Sequence, residues 1–359
     1  MTAKGRTARA LVIGGGVGGL ATAIGLVRAG WAVEVHERAP GLESSGAALG
    51  LWPAAVRALD RLGVGADVRA ASTVQTSGAI RRPDGSRIAT VDAERLRRRT
   101  GGPVHLIPRR DLAVALAGAV PAGVVRYGVE TVADEATRSA WDVVIVADGV
   151  FSRSRTALFG PAYAPRYTGN TAWRGAIALP TTEATETWGP GARFGVTPYR
   201  DGMTNWYATL ARPEGERSPA SELAQLCEAF GDWPAPIPEI LNALTERDVM
   251  RHDLYDLAPP LPTYVIDHAA LIGDAAHAMT PDLGRGACEA LVDAVTLSDQ
   301  LRSTQDIGAG LVAYDRARRR PTQRLAALSY RMSRLAGARR LRGLRDAVVR
   351  AALAVGPPA

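Results

Sequence analysis

"VIGGGVGG", residues 12–19, is the stretch whose reading decides the fold. An apolar run over residues 9–13 leads into it and reads as a short buried strand. A helical pattern over 20–29 leads out and stops at Gly30. "WAVEVHE" then alternates as a second strand, so the unit is β-α-β and its sheet is parallel. Within the turn, Gly14, Gly16 and Gly19 allow the tight bend, a close approach of backbone to a pyrophosphate, and close helix–strand packing. The N–H groups that open the helix face an anion there. Glu37 closes the second strand, with Arg38 beside it, where a carboxylate accepts hydrogen bonds from an adenosine ribose. NAD and FAD fit this turn equally well.

A second glycine cluster separates them. "GDAAHAMTPDLGRGACEA", residues 273–290, follows another apolar strand. It ends that strand on Asp274, turns through Pro281 and starts a helix at Gly284, Arg285 and Gly286. A chain that binds NAD alone has little need of this second carboxylate-tipped strand, whereas a flavin has. Its ribityl hydroxyls suit Asp274, and its reduced ring is an anion that suits the N–H groups and positive dipole end of a helix start. His277 and Pro281 read as residues that shape the loop.

Composition narrows the classes. The chain has 359 residues, 47% of them apolar, which suits one large domain or two interwoven ones. Two cysteines, Cys227 and Cys288, provide no disulfide framework and point to a reducing cytoplasm. The basic head and uncharged run from residue 10 to 27 imitate a signal peptide, but five glycines in six positions make a turn rather than a membrane helix. No integral membrane segment and no metal site are expected. The net charge of +7 is uneven: residues 316–350 hold twelve arginines and one acid, a local +11 that leaves −4 for the remainder. That is not a uniform nucleic-acid surface, and no nucleic-acid partner is expected. The basic segment reads as a solvated amphipathic helix, with an anion- or membrane-facing patch as the alternative. Only Lys4 among the basic residues is lysine.

Further along, residues 53–62 and 110–119 read as helices, "SGAIRRPDGSRIATVD" as an antiparallel hairpin, and "WDVVIVADG" as an apolar strand ending in Asp148 and Gly149. Between about 165 and 257, aromatic-rich strands such as "TAWRGAIAL", "ARFGVTPY", "TNWYATLA" and "DVMRHDLYDL" indicate a mixed insert with a large sheet.

Three ordered stretches carry a resemblance. "VIGGGVGGL", "VIVADGVFSRSR" and "LIGDAAHAMTPDLGRGACEAL" resemble the fingerprints of single-component FAD-dependent aromatic hydroxylases, the p-hydroxybenzoate hydroxylase-like flavin monooxygenases. The likeness spans nearly the whole chain and is greatest to the salicylate, urate and 6-hydroxynicotinate hydroxylase branch, which includes zeaxanthin epoxidase. It implies an α/β fold: a Rossmann-like FAD-binding domain with a parallel sheet, interleaved with an α+β substrate domain carrying a large mixed sheet, and a C-terminal helix. Segments 1–72, 98–164 and 263–325 would form the discontinuous FAD domain, 73–97 and 165–262 the substrate domain, and 326–359 a helical tail. Gly14, Gly16, Gly19, Glu37 and Arg38 would hold the ADP half, and Arg109 the pyrophosphate or ribityl chain. Asp148 and Gly149 would serve FAD and, indirectly, NADH or NADPH. Asp274 would bind the ribityl chain, with Pro281, Gly284, Arg285 and Gly286 along the ring. The chain departs from the family at Arg285, where glutamine is common. Val292-Asp293 replaces a Glu-Asp pair, and residues 127–141 are shorter than the usual β-meander.

The resemblance implies a monooxygenase that consumes NAD(P)H and O2 and hydroxylates an aromatic or polycyclic small molecule through a flavin C4a-hydroperoxide. Epoxidation and Baeyer–Villiger oxidation start from the same species, and a non-catalytic flavin- or nucleotide-binding protein is the contrasting class. A cytoplasmic monomer or homodimer of secondary metabolism is the expected setting. Trp52, Trp173, Tyr199, Trp206 and Tyr207 are candidate pocket residues. His252, on a strand face with Met250 and Leu254, is a candidate inward-facing base, and Tyr207 is the second.

Overall fold

A computed structural model describes residues 7–42, 48–340 and 342–355. Strand Arg9–Ile13 lies in the middle of a six-stranded sheet, parallel to Ala32–Glu37 on one side and Val143–Val146 on the other. Val125–Tyr127 extends one edge; Ala269–Leu271 and then Val265–Ile266 extend the other. Ala10 to Ile13 and Val143 to Val146 are buried. A parallel sheet covered on both faces demands such unbroken apolar runs.

Helices Val17–Arg28 and Gly286–Ser303 lie side by side on this sheet. Gly18 faces Ala290 and Gly25 faces Ser298, so the two helices run in the same direction. A Cβ on Gly25 would stand 2.3 Å from the Ser298 hydroxyl, so the axes approach as closely as they do only because glycine is there. Parallel packing brings the two glycine-led N-termini to one end of the sheet. That is the physical reason two motifs some 250 residues apart can share a ligand.

The second layer is a seven-stranded sheet ordered Met250–Asp256, Arg166–Ile177, Thr204–Ala211, Ala192–Pro198, Ala184–Gly189, Gly78–Arg81 and Arg87–Val91. Side chains alternate across it. Trp173, Phe194, Val196, Trp206 and Ala208 face back and pack under helices Glu222–Phe230 and Ile237–Ala243. On the front, one row reads Glu186, Gly195, Tyr207, Arg174, Met250. The next reads Trp188, Arg193, Thr209, Ala172, His252. The front meets the nucleotide-binding layer: Ala48 N–H donates to Asn205 at 3.2 Å, and Arg193 reaches Asp282 at 2.6 Å.

Two boundaries differ from expectation. Strand Thr73–Val74 joins a small three-stranded sheet with Ala48–Leu51 and His105–Pro108, so the excursion into the large sheet begins at Gly78. The C-terminal region is two helices. Ile307–Ala336 runs unbroken through residues 325 and 326, and Arg342–Val355 follows. Among the described residues, the segment after Tyr127 holds only the short helix Glu135–Ser139 before the strand at Val143, in place of a meander.

Candidate functional site

The first turn is shaped by contacts that tolerate no side chain. Gly14 has φ +107°, and a Cβ there would lie 2.4 Å from the Ala147 carbonyl oxygen; one on Gly19 would lie 1.9 Å from that of Gly14. Gly16, the N-cap of helix Val17–Arg28, faces empty space: no atom comes within 4 Å of where its Cβ would be. Two glycines thus build the turn and the third leaves its backbone open to a ligand. The Glu37 carboxylate accepts from Gly15 N–H at 2.6 Å and Ala39 N–H at 2.8 Å, which fixes it at the strand end. Arg38 follows it, exposed.

Asp274 is the counterpart at the other end. Its carboxylate lies 3.7 Å from where a Cβ on Gly286 would be, at the start of helix Gly286–Ser303. It is open to solvent yet surrounded by protein, as on a cleft floor. Crowding raises its pKa, and the nearby charges of His277, Arg109 and Arg155 oppose that. Asp148 accepts from Ser154 N–H at 3.1 Å, while its other carboxylate oxygen is buried without a partner. Buried oxygens are rarely left so, and a ligand hydroxyl is a natural donor. Gly149 beside it, at φ +82°, faces open space. An FAD fits this set: open backbone at Gly16 for phosphates, and free carboxylate oxygen at Asp148 and Asp274 for sugar hydroxyls.

A chain of alternating charge, buried beyond Arg285, supports the loop that leads into helix Gly286–Ser303. Arg285 pairs with Glu289 at 2.7 Å and lies 5.3 Å over the Trp52 ring. Arg318 bridges Glu289 and Asp293, each at 2.6 Å, and Asp293 pairs with His277 at 2.6 Å. Asp293 also accepts from Gly273 N–H at 2.9 Å, immediately before Asp274. Burial alone would raise the Asp293 pKa; His277 and Arg318 instead bring it down to about 2. Burial disfavours the His277 charge, but Asp293 more than offsets it and raises the His277 pKa. Asp293 is therefore the hub of the network. Arg155 does similar work between the two later motifs: its buried guanidinium donates to the carbonyls of Val150, Tyr163 and Ala275.

Across from the loop, the sheet front presents Arg193, which is 6% exposed. Burial works against its charge, and Asp282 and Glu186 restore it. The Asp282 contact is not aligned as a hydrogen bond, so both Asp282 oxygens remain buried without one. Gly195 lets the Tyr207 ring lie flat across its strand, since a Cβ there would meet the ring at 2.2 Å. Glu186 lies beside Tyr207; burial first, then that carboxylate, push the Tyr207 hydroxyl well above the ordinary range. Tyr199 continues this side beyond Pro198, half-buried, its hydroxyl pushed up to about 12 mainly by burial.

Several sequence expectations are corrected here. Trp173 and Trp206 are fully buried on the back of the sheet, in the core under the two helices, and line no cleft. His252 is on the front but exposed, on the edge strand. It sits three strand spacings from Arg193, about 14 Å, too far to act at the same substrate atom. Tyr207 is on the sheet front, on the same face as Arg193, but a phenol held protonated is a donor and not a base. Trp52 and Tyr199 border the loop and the front face. Arg193, Glu186, Asp282, Arg318 and Arg155 are the residues sequence reasoning missed. In "ARFGVTPY", alternation against Phe194 and Val196 marks Arg193 and Gly195 as one face, which is the signal that was available.

Comparison with known proteins agrees with this geometry. The "FAD binding domain" family model matches residues 7–139. The aurachin C monooxygenase/isomerase of Stigmatella aurantiaca is 34% identical over 341 residues, covering 90% of this chain and 88% of the relative. The FAD-dependent urate hydroxylase of Klebsiella oxytoca is 31% identical, covering 86% and 85%. Among solved structures, Klebsiella pneumoniae HpxO complexed with FAD and uric acid superposes with a TM-score of 0.86 at 26% identity, covering 96% and 93%. With its two glycine-led helix starts at the same end of the parallel sheet, the chain belongs to the FAD-dependent monooxygenases that use NAD(P)H as reductant.

Proposed function

We propose that this monooxygenase hydroxylates a small, planar, electron-rich aromatic compound carrying an acidic or anionic group. The reading rests on one observation: Arg193 is a buried cation on the sheet front, facing the flavin-binding loop through Asp282. A buried guanidinium offers a planar fork that a carboxylate, phenolate or enolate matches with two hydrogen bonds. In the structure the guanidinium is held by Thr209 at 3.3 Å, Glu186 at 3.5 Å and Asp282 at 2.6 Å, so a bound anion would share that cation with them. The acidic ring compounds named for several relatives, urate and 3-amino-4-hydroxybenzoate, have this chemistry.

Gly14, Gly16, Gly19, Glu37 and Arg38 would hold the adenosine and phosphates. Arg109, Asp148 and Asp274 would hold the sugar chain, and the loop from Pro281 to Gly286 the ring. Bound FAD supplies electron uptake from NAD(P)H and activation of O2. The chain's own residues do the rest. Arg193 would stabilise the ionised form of a phenol or enol, the form richest in electrons at the adjacent ring carbon. Tyr207, kept neutral, would donate to substrate oxygen or to Glu186 and so hold a proton at the ring edge. The front face and the loop together exclude water from the reacting carbon. We place the protein in a reducing cytoplasm, where Cys227 and Cys288 stay as the free thiols they are here.

The test is a panel of aromatic acids, phenols and their neutral isosteres, followed by NAD(P)H oxidation and mass spectrometry of products. Acidic members should accelerate oxidation and gain one oxygen atom. Stimulation confined to neutral members would overturn the proposal.

A further inference from the structure

Apart from Arg318, whose side chain is buried against Glu289 and Asp293, the arginine-rich C-terminal region has no role in the site described above. On helix Ile307–Ala336, Arg316, Arg320, Arg324, Arg331 and Arg334 are all exposed. Their spacings of four, four, seven and three residues put them in one stripe along the helix. None has an acidic partner among the described residues, whereas Arg318 and Arg319 in the same turns do. Like charges one turn apart repel, so the stripe is held against its own field.

Helix Arg342–Val355 adds a second feature. It buries Arg345, Asp346 and Val349 on its inner side; Arg82 pairs there with Asp346 at 2.7 Å. Its outer side shows Leu344, 62% exposed, and Val348, 44% exposed, one turn apart, with Arg342 and Arg350 also exposed. The C-terminal end of the first helix, at Met332, Leu335 and Ala336, and the second helix, at Val349, rest on one apolar cluster with Ile80, Ile88 and Trp188, so the second helix lies near the Arg331 and Arg334 end of the stripe.

We propose that this face docks on a membrane surface rich in anionic phospholipids. The charge is complementary: residues 316–350 carry +11 and the remainder of the chain −4, so an anionic bilayer attracts this pole and repels the rest. The exposed aliphatic pair selects a bilayer over a nucleic acid. Leu344 and Val348 have nothing to gain from phosphodiesters in water, but partition beneath lipid headgroups. No helix among the described residues is long and apolar enough to cross a membrane, so the attachment is peripheral.

The experiment is vesicle flotation of the FAD-loaded full chain. The vesicles are phosphatidylcholine alone or mixed equally with phosphatidylglycerol, at low and high salt. The protein should float with the anionic vesicles at low salt, stay down with the neutral ones, and be released by salt. Arg320→Glu with Arg324→Glu should weaken partition by more than about ten-fold, since each arginine contributes about five-fold. Leu344→Asp with Val348→Asp should weaken it as well, with flavin content and thermal midpoint unchanged in both. Absence of flotation, or flotation untouched by either double variant, would overturn the proposal. So would duplex DNA binding as tight as the vesicles and indifferent to the Leu344 and Val348 changes, which would give the face to nucleic acid.

Discussion

The two faces of the seven-stranded sheet come from the same strands and alternate residue by residue, yet they do opposite work. Behind, Trp173, Phe194 and Trp206 are fully buried, with Phe194 and Trp206 stacked at 5.8 Å and Phe230 edge-on to Phe194. In front, the immediate neighbours of those residues are Arg193, paired with Asp282, Gly195, which makes room for the Tyr207 ring, and Tyr207, whose phenol lies beside the Glu186 carboxylate. The back is stable because it is apolar and closely packed. The front keeps a buried cation, a protonated phenol and an incompletely bonded carboxylate, each costly to bury. Such cost is typical of a surface retained for a ligand.

The largest effect should come from the back. Trp206→Ala should cost about 3–5 kcal/mol of stability through the cavity it leaves, read by denaturant unfolding. Any protein that survives should bind ring acids normally. A front-face change should divide differently. Arg193→Gln should lower kcat/KM for an acidic substrate by about a hundred-fold, close to 3 kcal/mol, and should also destabilise by stranding Asp282. Adding Asp282→Asn should restore the thermal midpoint without restoring kcat/KM. If both recover together, Arg193 is a structural ion pair and the contrast between the faces fails.

Acid probes the supports of the front-facing loop. Asp293 is held at about 2, against an ordinary value near 3.9, so its contribution is complete above about pH 4 and fades as pH falls toward 2. His277 has the opposite sign: its pKa is raised, so its share is complete below about 6.5 and fades as pH rises through the raised value. Asp293→Asn should flatten the acid limb of stability by about 2 kcal/mol, measured as unfolding free energy against pH. The smallest effects belong to the former base candidates. Tyr207→Phe should lower kcat by less than about ten-fold without moving the acid limb of the rate profile, because a neutral donor contributes no titration there. His252→Ala should leave kcat/KM unchanged.

What could be read from the chain follows physical lines. The parallel sheet was legible because strands buried on both faces are written as apolar runs, and "RALVI" and "VVIV" are such runs. The paired glycine motifs were legible because backbone that must approach phosphate or ring admits few other residues. The sidedness of the large sheet was not. "TAWRGAIAL" and "TNWYATLA" carry aromatic and polar residues on neighbouring positions, and alternation shows which residues share a face without saying which face meets the flavin. Trp173 and Trp206 were misplaced for that reason. Arg193 and Asp282 lie 89 residues apart, and their pairing exists only once the sheet is laid against the loop. The helix boundary near residue 325 was misjudged because nothing local stops a helix there; the break comes at Gly337.

The most direct test of the two-faced sheet is the flavin absorbance change on adding the ring acid that best stimulates NAD(P)H oxidation. It is recorded for the wild type, Arg193→Gln and Trp173→Phe, all FAD-loaded and folded. The perturbation should be lost or shifted to at least about ten-fold higher concentration in Arg193→Gln and be unaltered in Trp173→Phe. A Trp173→Phe protein that keeps its fold but no longer responds, beside an Arg193→Gln protein that responds normally, would contradict the assignment of the substrate to the front.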